Sequence, residues 1–369
     1  MNQERLYTLD ALRGVAAFIV IWFHIFEGFA TSPADQMLNH GYLSVDFFFL
    51  LSGYVIGFSY DNRWNGGKLT RWEFFKRRLI RLHPMVIAGT LIGAITFIMG
   101  GSQKWNGEAV SLVMVLAACL FNVFLLPVIP GSMHEVRGNR EMFPLNGPHW
   151  SLFFEYIANI FYAVFVRRLN NRWLAVLTII SGGGILATLF GNLTGYYNLC
   201  VGWTAYDNNM WGGLARVMFS FTAGLLMSHT FRRRRLPHAF LWCTLILTVV
   251  TCMPYAGPEG HEWLNAVYDT IVILFIFPMV LAMGASAIEE RESRFKSLIG
   301  ELSFPLYAIH YPLMYLFYAW VWTNELSFSE TWHVAIAIVF SSIILAWLLL
   351  IFYDRPVRRY LSKRYLSKK

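Results

Sequence analysis

Arg13 and His24 lie eleven residues apart inside one apolar run, 9–29, which reads LDALRGVAAFIVIWFHIFEGF and is long enough to cross a bilayer. Eleven helical steps turn through about 1100°, within roughly 20° of three revolutions, so the two side chains share one face about 16 Å apart. Ionisable groups inside a membrane helix mark functional sites that look away from lipid. A guanidinium holds anions, and a neutral imidazole beside a carboxylate is the usual general base, its tautomer fixed by that carboxylate. Asp46, or Glu27 one turn beyond His24, is available as the partner. A second reading of Arg13 stands beside the first, an interfacial anchor that snorkels to the headgroups.

Depth brings three more groups to the level of His24. His24 stops roughly 9 Å short of the far boundary of a core about 30 Å thick. Asp46, in GYLSVDFFFLLSGYVIGFSY, enters from that far side and lies about 8 Å in. Glu155, in PHWSLFFEYIANIFY, comes out about 10 Å deep, and Arg216, in WGGLARVMFSF, about 8 Å. Four ionisable groups at one depth predict a polar chamber in the outer half of the membrane. The bland alternative is four helix ends whose side chains snorkel separately.

The elements that must position these groups follow from composition and pattern. Of 369 residues, 56% are hydrophobic and 14% charged, against the roughly 25% charged of soluble domains. The expected fold is an all-α, polytopic transmembrane bundle, one membrane-embedded domain over 1–369 with no appended soluble domain. Eleven apolar stretches stand out, near 9–29, 41–60, 84–101, 109–127, 148–166, 173–191, 211–230, 237–254, 264–287, 302–322 and 332–353. The net charge of +8 sits in short loops between them, a topology signal and not a nucleic-acid-binding face. The basic clusters at 63–81, 167–172, 232–235 and 355–369 all belong on the cytoplasmic side by that rule. Ten crossings satisfy them, with both termini cytoplasmic, if 84–101 or 109–127 is re-entrant or lies flat. The four cysteines are scattered, without the close pairs of a zinc or redox motif, so no metal is expected.

Arg13, ten intervening residues and His24 are followed by VDFFFLLSGYVIGF with Asp46, Ser52, Gly53 and Tyr54, and by FFKRRLIRLHP with Arg78 and Arg81 spaced Arg-x-x-Arg. WSLFFE (Trp150, Ser151, Glu155), GELSFPLYAIHYP (Ser303, Tyr307, His310, Pro312) and FYDRPVR come next. In these motifs and their order the chain resembles the acyltransferase-3 family of integral membrane O-acyltransferases, whose Arg-x-x-Arg loop Arg78 and Arg81 match. The match departs from the usual pattern at Asp354, where Glu is common, and at His83, where an apolar residue is.

The resemblance implies transfer of an acyl group, commonly acetyl from acetyl-CoA as co-substrate, to a hydroxyl of a glycan or lipid-linked sugar in the bacterial cytoplasmic membrane. No permanently bound cofactor is expected, and membrane lipids surround the chain. Arg78 and Arg81 then bind coenzyme A phosphates, with Arg13 at the inner mouth. His24 serves as base, Asp46 or Glu155 orients it, and Ser52, Tyr54 or Ser151 holds the oxyanion. Arg216 joins the acceptor side. His310 either lines the donor channel or is a packed core histidine; Trp150 either stacks on a sugar or belongs to the interfacial belt. A transporter or flippase for a lipid-linked sugar is the alternative class, since intramembrane charges also mark substrate pathways, but no inverted repeat is visible.

Overall fold

The computed structural model describes residues 6–288 and 293–366, so the last three residues of the basic tail lie outside the described ones. The described residues fold into helices, with isolated bridges but no strand. In chain order these are α1 Tyr7–Glu27, α2 Ser44–Asn65, α3 Arg71–Met99, α4 Leu112–Val123, α5 His149–Val164 and α6 Asn171–Phe190. They continue as α7 Asn209–Thr230, α8 Ala239–Cys252, α9 Trp263–Ala285, α10 Arg294–Thr323 and α11 Phe328–Tyr365. Each of the eleven apolar stretches has become one helix. Seven of the helices are long and apolar enough to cross a membrane.

The outside of the bundle is apolar and its interior holds the charges. Leu91, Ile95, Leu116, Ile179, Phe275 and Phe340 are among the exposed large side chains, whereas Asp46, Arg78, Arg216 and Asp269 are buried. That inversion suits a hydrocarbon solvent and would leave a soluble protein with an untenable apolar surface. Helices gain no hydrophobic drive against one another in lipid, so close packing through small residues replaces it. A Cβ on Gly53 of α2 would lie 2.0 Å from the Phe221 carbonyl oxygen, and one on Gly224 of α7 would lie 2.0 Å from that of Leu50. The α2–α7 contact therefore needs glycine on both sides.

The stretch 84–127 resolves into one long helix and one short one. Helix α3 begins at Arg71, not near residue 84, because Thr70 and Glu73 close a reciprocal capping box (Glu73 N to Thr70 Oγ1 3.1 Å, Thr70 N to Glu73 Oε2 2.9 Å) and Pro84 is absorbed inside the helix. Its 29 residues span about 44 Å, more than a bilayer core. Arg78 and Arg81, expected in a loop, are thus one helical turn apart on a common face. Helix α4 has 12 residues, about 18 Å, which is too short to cross. Of the two stretches, it is 109–127 whose helix is too short for a crossing.

Helix α10 carries Pro305 and Pro312 and packs along α1. Pro312 has no N–H for the Ala308 carbonyl, and Asn146 Nδ2 supplies that carbonyl with a hydrogen bond at 2.7 Å. The same residue anchors the long 124–148 loop to the bundle. That loop pairs in turn with the 191–208 loop, Met142 N donating to the Trp203 carbonyl at 2.9 Å. Together they roof the end of the bundle opposite the basic loops.

Candidate active site

Two cavities lie end to end in the bundle and share the lining residues Val45 and Tyr307. The first, about 500 Å³, opens among the basic segments. On α2 it is lined by Val45, Phe48, Ser52, Val55, Ser59 and Arg63, a stripe at spacings of three and four that is one helix face. Arg13, Arg78, Arg81, Arg355, Arg358 and Arg359 converge on it. Four of these are paired with carboxylates. Arg13 donates to Asp10 at 3.0 Å, Arg78 meets Glu155 at 2.5 Å, Arg355 Nε reaches Glu301 at 3.1 Å, and Arg358 meets Asp354 at 2.7 Å. Arg81 and Arg359 have no ion-pair partner among the described residues. A π turn at 350–354 in α11 brings Asp354 inward to this cluster. Such turns insert a residue and re-aim the side chains around it.

The second cavity, about 370 Å³, opens at the roofed end and holds His24. His24 Nδ1 lies 2.7 Å from Glu27 Oε2, and Tyr318 OH donates to the same oxygen at 3.1 Å. With Nδ1 donating to that carboxylate, Nε2 is the lone-pair nitrogen, and it has no hydrogen bond among the described residues. The imidazole stands edge-on to Tyr311 at 4.6 Å and stacks on His310 at 5.5 Å between centroids. Trp105, Trp203, Trp322, Tyr315 and Glu141 complete much of the wall. Tyr315 OH donates to Glu141 and accepts from Gly147 N at 3.2 Å, while Arg137 covers its ring at 3.4 Å. Burial pushes the Glu141 carboxyl up to about 7, against the pull of Tyr315 and Arg137.

The expected site residues divide between these cavities. Arg13, Arg78, Arg81, Ser52, Ser151 and Glu155 line the first; His24, Trp150 and Arg216 line the second. Asp46, Tyr54 and His310 line neither. The single chamber holding His24, Asp46, Glu155 and Arg216 is therefore corrected to two compartments. Depth along a helix fixes one coordinate, and the direction in which each side chain points fixes the rest.

Asp46 is fully buried and faces α7, where Arg216 grips it with Nη2 at 2.7 Å and Nε at 3.2 Å. Arg216 also donates to the carbonyls of Val201 and Tyr42, each at 2.9 Å, so its charge is committed. Glu155 is held by Arg78 and by Ser52 Oγ at 2.9 Å. Neither carboxylate orients His24; Glu27 does. Tyr54 sits off the α2 cavity stripe, ring-to-ring with Phe58. His310 Nδ1 turns back to the Tyr307 carbonyl at 2.9 Å, so it is the packed core histidine behind His24 and not a donor-channel residue. Trp150 is 9% exposed, with the Gly202 backbone against its ring and the Arg216 guanidinium 5.0 Å from its centroid. It is a wall residue, not a belt residue.

Tyr307 is the side chain at the boundary. Its hydroxyl meets Ser151 Oγ at 2.7 Å, and its ring stands edge-on to Phe48 at 5.3 Å. No group of three metal-ligating side chains converges among the described residues.

A model of the acyltransferase domain of the acyltransferase-3 family matches residues 6–351. Protein 2 in the picA locus of Rhizobium radiobacter is 28% identical over 200 residues, 48% of this chain and 91% of that protein. Exopolysaccharide production protein ExoZ of Rhizobium meliloti is 23% identical over 291 residues, 76% of this chain and 79% of that one. O-acetyltransferase OatA of Staphylococcus aureus is 39% identical over 88 residues, 23% of this chain and 14% of its own length. No solved structure matches.

Proposed function

The chain belongs to the acyltransferase-3 family and is an integral membrane acyltransferase of the non-aminoacyl kind; we propose that it moves an acyl group, acetyl in the first instance, from cytosolic acyl-CoA to a sugar hydroxyl of an exported glycan. The observation that carries this reading is the back-to-back pair of cavities, one rich in guanidinium groups and one holding an imidazole–carboxylate dyad among aromatic rings, with Val45 and Tyr307 common to both. The names of the OatA and ExoZ relatives support acetyl as the group and a polysaccharide as the acceptor.

The positive-inside rule puts the arginine cavity toward the cytoplasm of a bacterial inner membrane and the His24 chamber toward the exterior. Arg81 and Arg359, which make no ion pair among the described residues, offer forked donors to the phosphates of coenzyme A. The thioester then points at the Val45–Tyr307 boundary. From the other side an acceptor hydroxyl gives its proton to His24 Nε2 as its oxygen bonds to the thioester carbon. Glu27 stabilises the imidazolium. The C–S bond breaks, and His24 returns the proton to the leaving thiolate, giving an ester and free coenzyme A. Tyr307 and Ser151 stand at the boundary, where Ser151 Oγ donates to the Pro148 carbonyl at 2.9 Å, and the Tyr307 hydroxyl would turn from Ser151 to the intermediate's oxyanion.

The test is coenzyme A release from acetyl-CoA by the purified chain in nanodiscs, with and without an acceptor polysaccharide. Acceptor-stimulated release that His24→Gln abolishes supports the reading. Stimulated release that persists in His24→Gln removes the imidazole from the mechanism. A reporter fused after Asn171 that proved periplasmic would reverse the orientation.

A further inference from the structure

The His24 chamber does not end at Glu27. Past Phe23, Glu27, Pro33, Tyr42 and Cys200 it continues into an annex of about 200 Å³. The annex is lined by hydroxyls and amides, including Thr31, Ser32, Gln36, Asn39 and Asn198. Asn39 and Asn198 are each 1% exposed, and among the described residues Asn39 Oδ1 and Asn198 Nδ2 have no hydrogen-bond partner and almost no open surface.

Apart from Arg216, the charged side chains that line the two spaces are carboxylates. Glu27 and Glu141 line the chamber, and Glu27 also lines the annex. Asp35 stands beside the annex, accepting from the Thr31 hydroxyl at 2.6 Å and from Ser32 N at 2.8 Å. Burial works to raise its carboxyl, but those hydrogen bonds hold it at about 2, so it is ionised. Arg216 is the chamber's guanidinium, and Asp46 and two carbonyls occupy it. Arg137 lies under the ring of Tyr315 and lines neither space. Among the described residues, no lysine and no unpaired arginine reaches the chamber or its annex.

We infer that chamber and annex are two contiguous subsites for an uncharged oligosaccharide, and that Glu141 and Glu27 turn away sugars bearing carboxylate or phosphate. This rests on reading the chamber as the acceptor site. The rings of Trp105, Trp203, Trp322 and Tyr311 offer apolar faces for the C–H faces of a pyranose, and the annex hydroxyl oxygens of Thr31 and Ser32 accept from its hydroxyls. An anionic sugar would give up its hydration and meet carboxylates instead of a cation. Glu141 is the residue that separates the two classes: it has no part in the proposed proton transfer, and it lines the chamber beside Tyr315.

The experiment uses the full chain in nanodiscs and two sets of tetrasaccharides, one built from glucose, galactose, mannose and N-acetylglucosamine, the other from the corresponding uronic acids. Binding is read at pH 8.5, where the Glu141 carboxyl is ionised, by saturation-transfer NMR and tryptophan fluorescence without donor, and transfer by mass spectrometry with acetyl-CoA. The expected result is saturable binding of at least one neutral tetrasaccharide, and at least tenfold weaker binding of every uronate. Glu141→Gln narrows that ratio while neutral binding persists, and Glu141→Lys brings the uronates to parity. Uronate binding as tight as neutral binding in the wild type, or no neutral binding at all, overturns the inference. The donor arm keeps the two ideas apart: neutral sugars that bind without acetyl transfer would sink the acyltransfer reading and leave the charge preference standing.

Discussion

His24 Nδ1 and Glu27 Oε2 lie 2.7 Å apart across a single helical turn, so base and orienting acid come from one rigid segment. A tautomer fixed in this way does not depend on the packing of a second helix. Glu27→Gln keeps the shape and a hydrogen bond but loses the charge that stabilises the imidazolium. It should lower kcat roughly 100-fold or more with little change in KM for acyl-CoA, the scale of positioned acid–base catalysis. An unaltered kcat would show that Glu27 is a bystander.

Part of this site was legible in the sequence, and the boundary is physical. Helical periodicity alone placed Arg13 and His24 on one face, and the structure opens that face into one cavity at each end. Glu27, three residues on, is readable by the same rule. Asp46 and Glu155 were misplaced because residue counting gives depth and says nothing of azimuth; their arginine partners come from helices 170 and 77 residues away in the chain. Glu141 lies in an irregular loop without period. Arg358 and Arg359 sit in a tail whose charge already had an explanation as a topology signal.

Arg216 and Asp46 are expected to act through folding and not through chemistry. Both are essentially inaccessible, and removal of one partner strands a buried charge, at a cost of about 3–5 kcal/mol. Asp46→Ala should therefore lower the thermal midpoint in detergent and reduce yield. The double variant Asp46→Leu with Arg216→Met should recover most of the midpoint. Recovery of stability without recovery of turnover would reveal a catalytic role beyond the structural one.

Arg81 should report on the donor. It is exposed to the cavity and pairs with no carboxylate, so its loss leaves no orphaned anion behind, unlike loss of Arg78 beside Glu155. A charge-assisted hydrogen bond is worth about 1.5–3 kcal/mol, so Arg81→Gln should raise KM for acyl-CoA by roughly 10- to 150-fold. The thermal midpoint should hardly move. Unchanged donor KM would take Arg81 out of the binding site.

Glu141 makes stability depend on pH in a direction opposite to that of a salt-bridged carboxylate. Its folded value of about 7 lies above the ordinary 4.5, so the folded chain binds the proton more tightly than the unfolded chain. The resulting stabilisation is complete below pH 4.5, declines as the pH rises and is gone once the pH has passed 7. Wild-type protein should lose midpoint between pH 5 and pH 8 relative to Glu141→Gln, whose amide has no proton to release. The comparison is made by thermal unfolding of both proteins in one buffer series. Parallel curves would mean that Glu141 has the same proton affinity in the folded and unfolded chain, in spite of its burial against Tyr315.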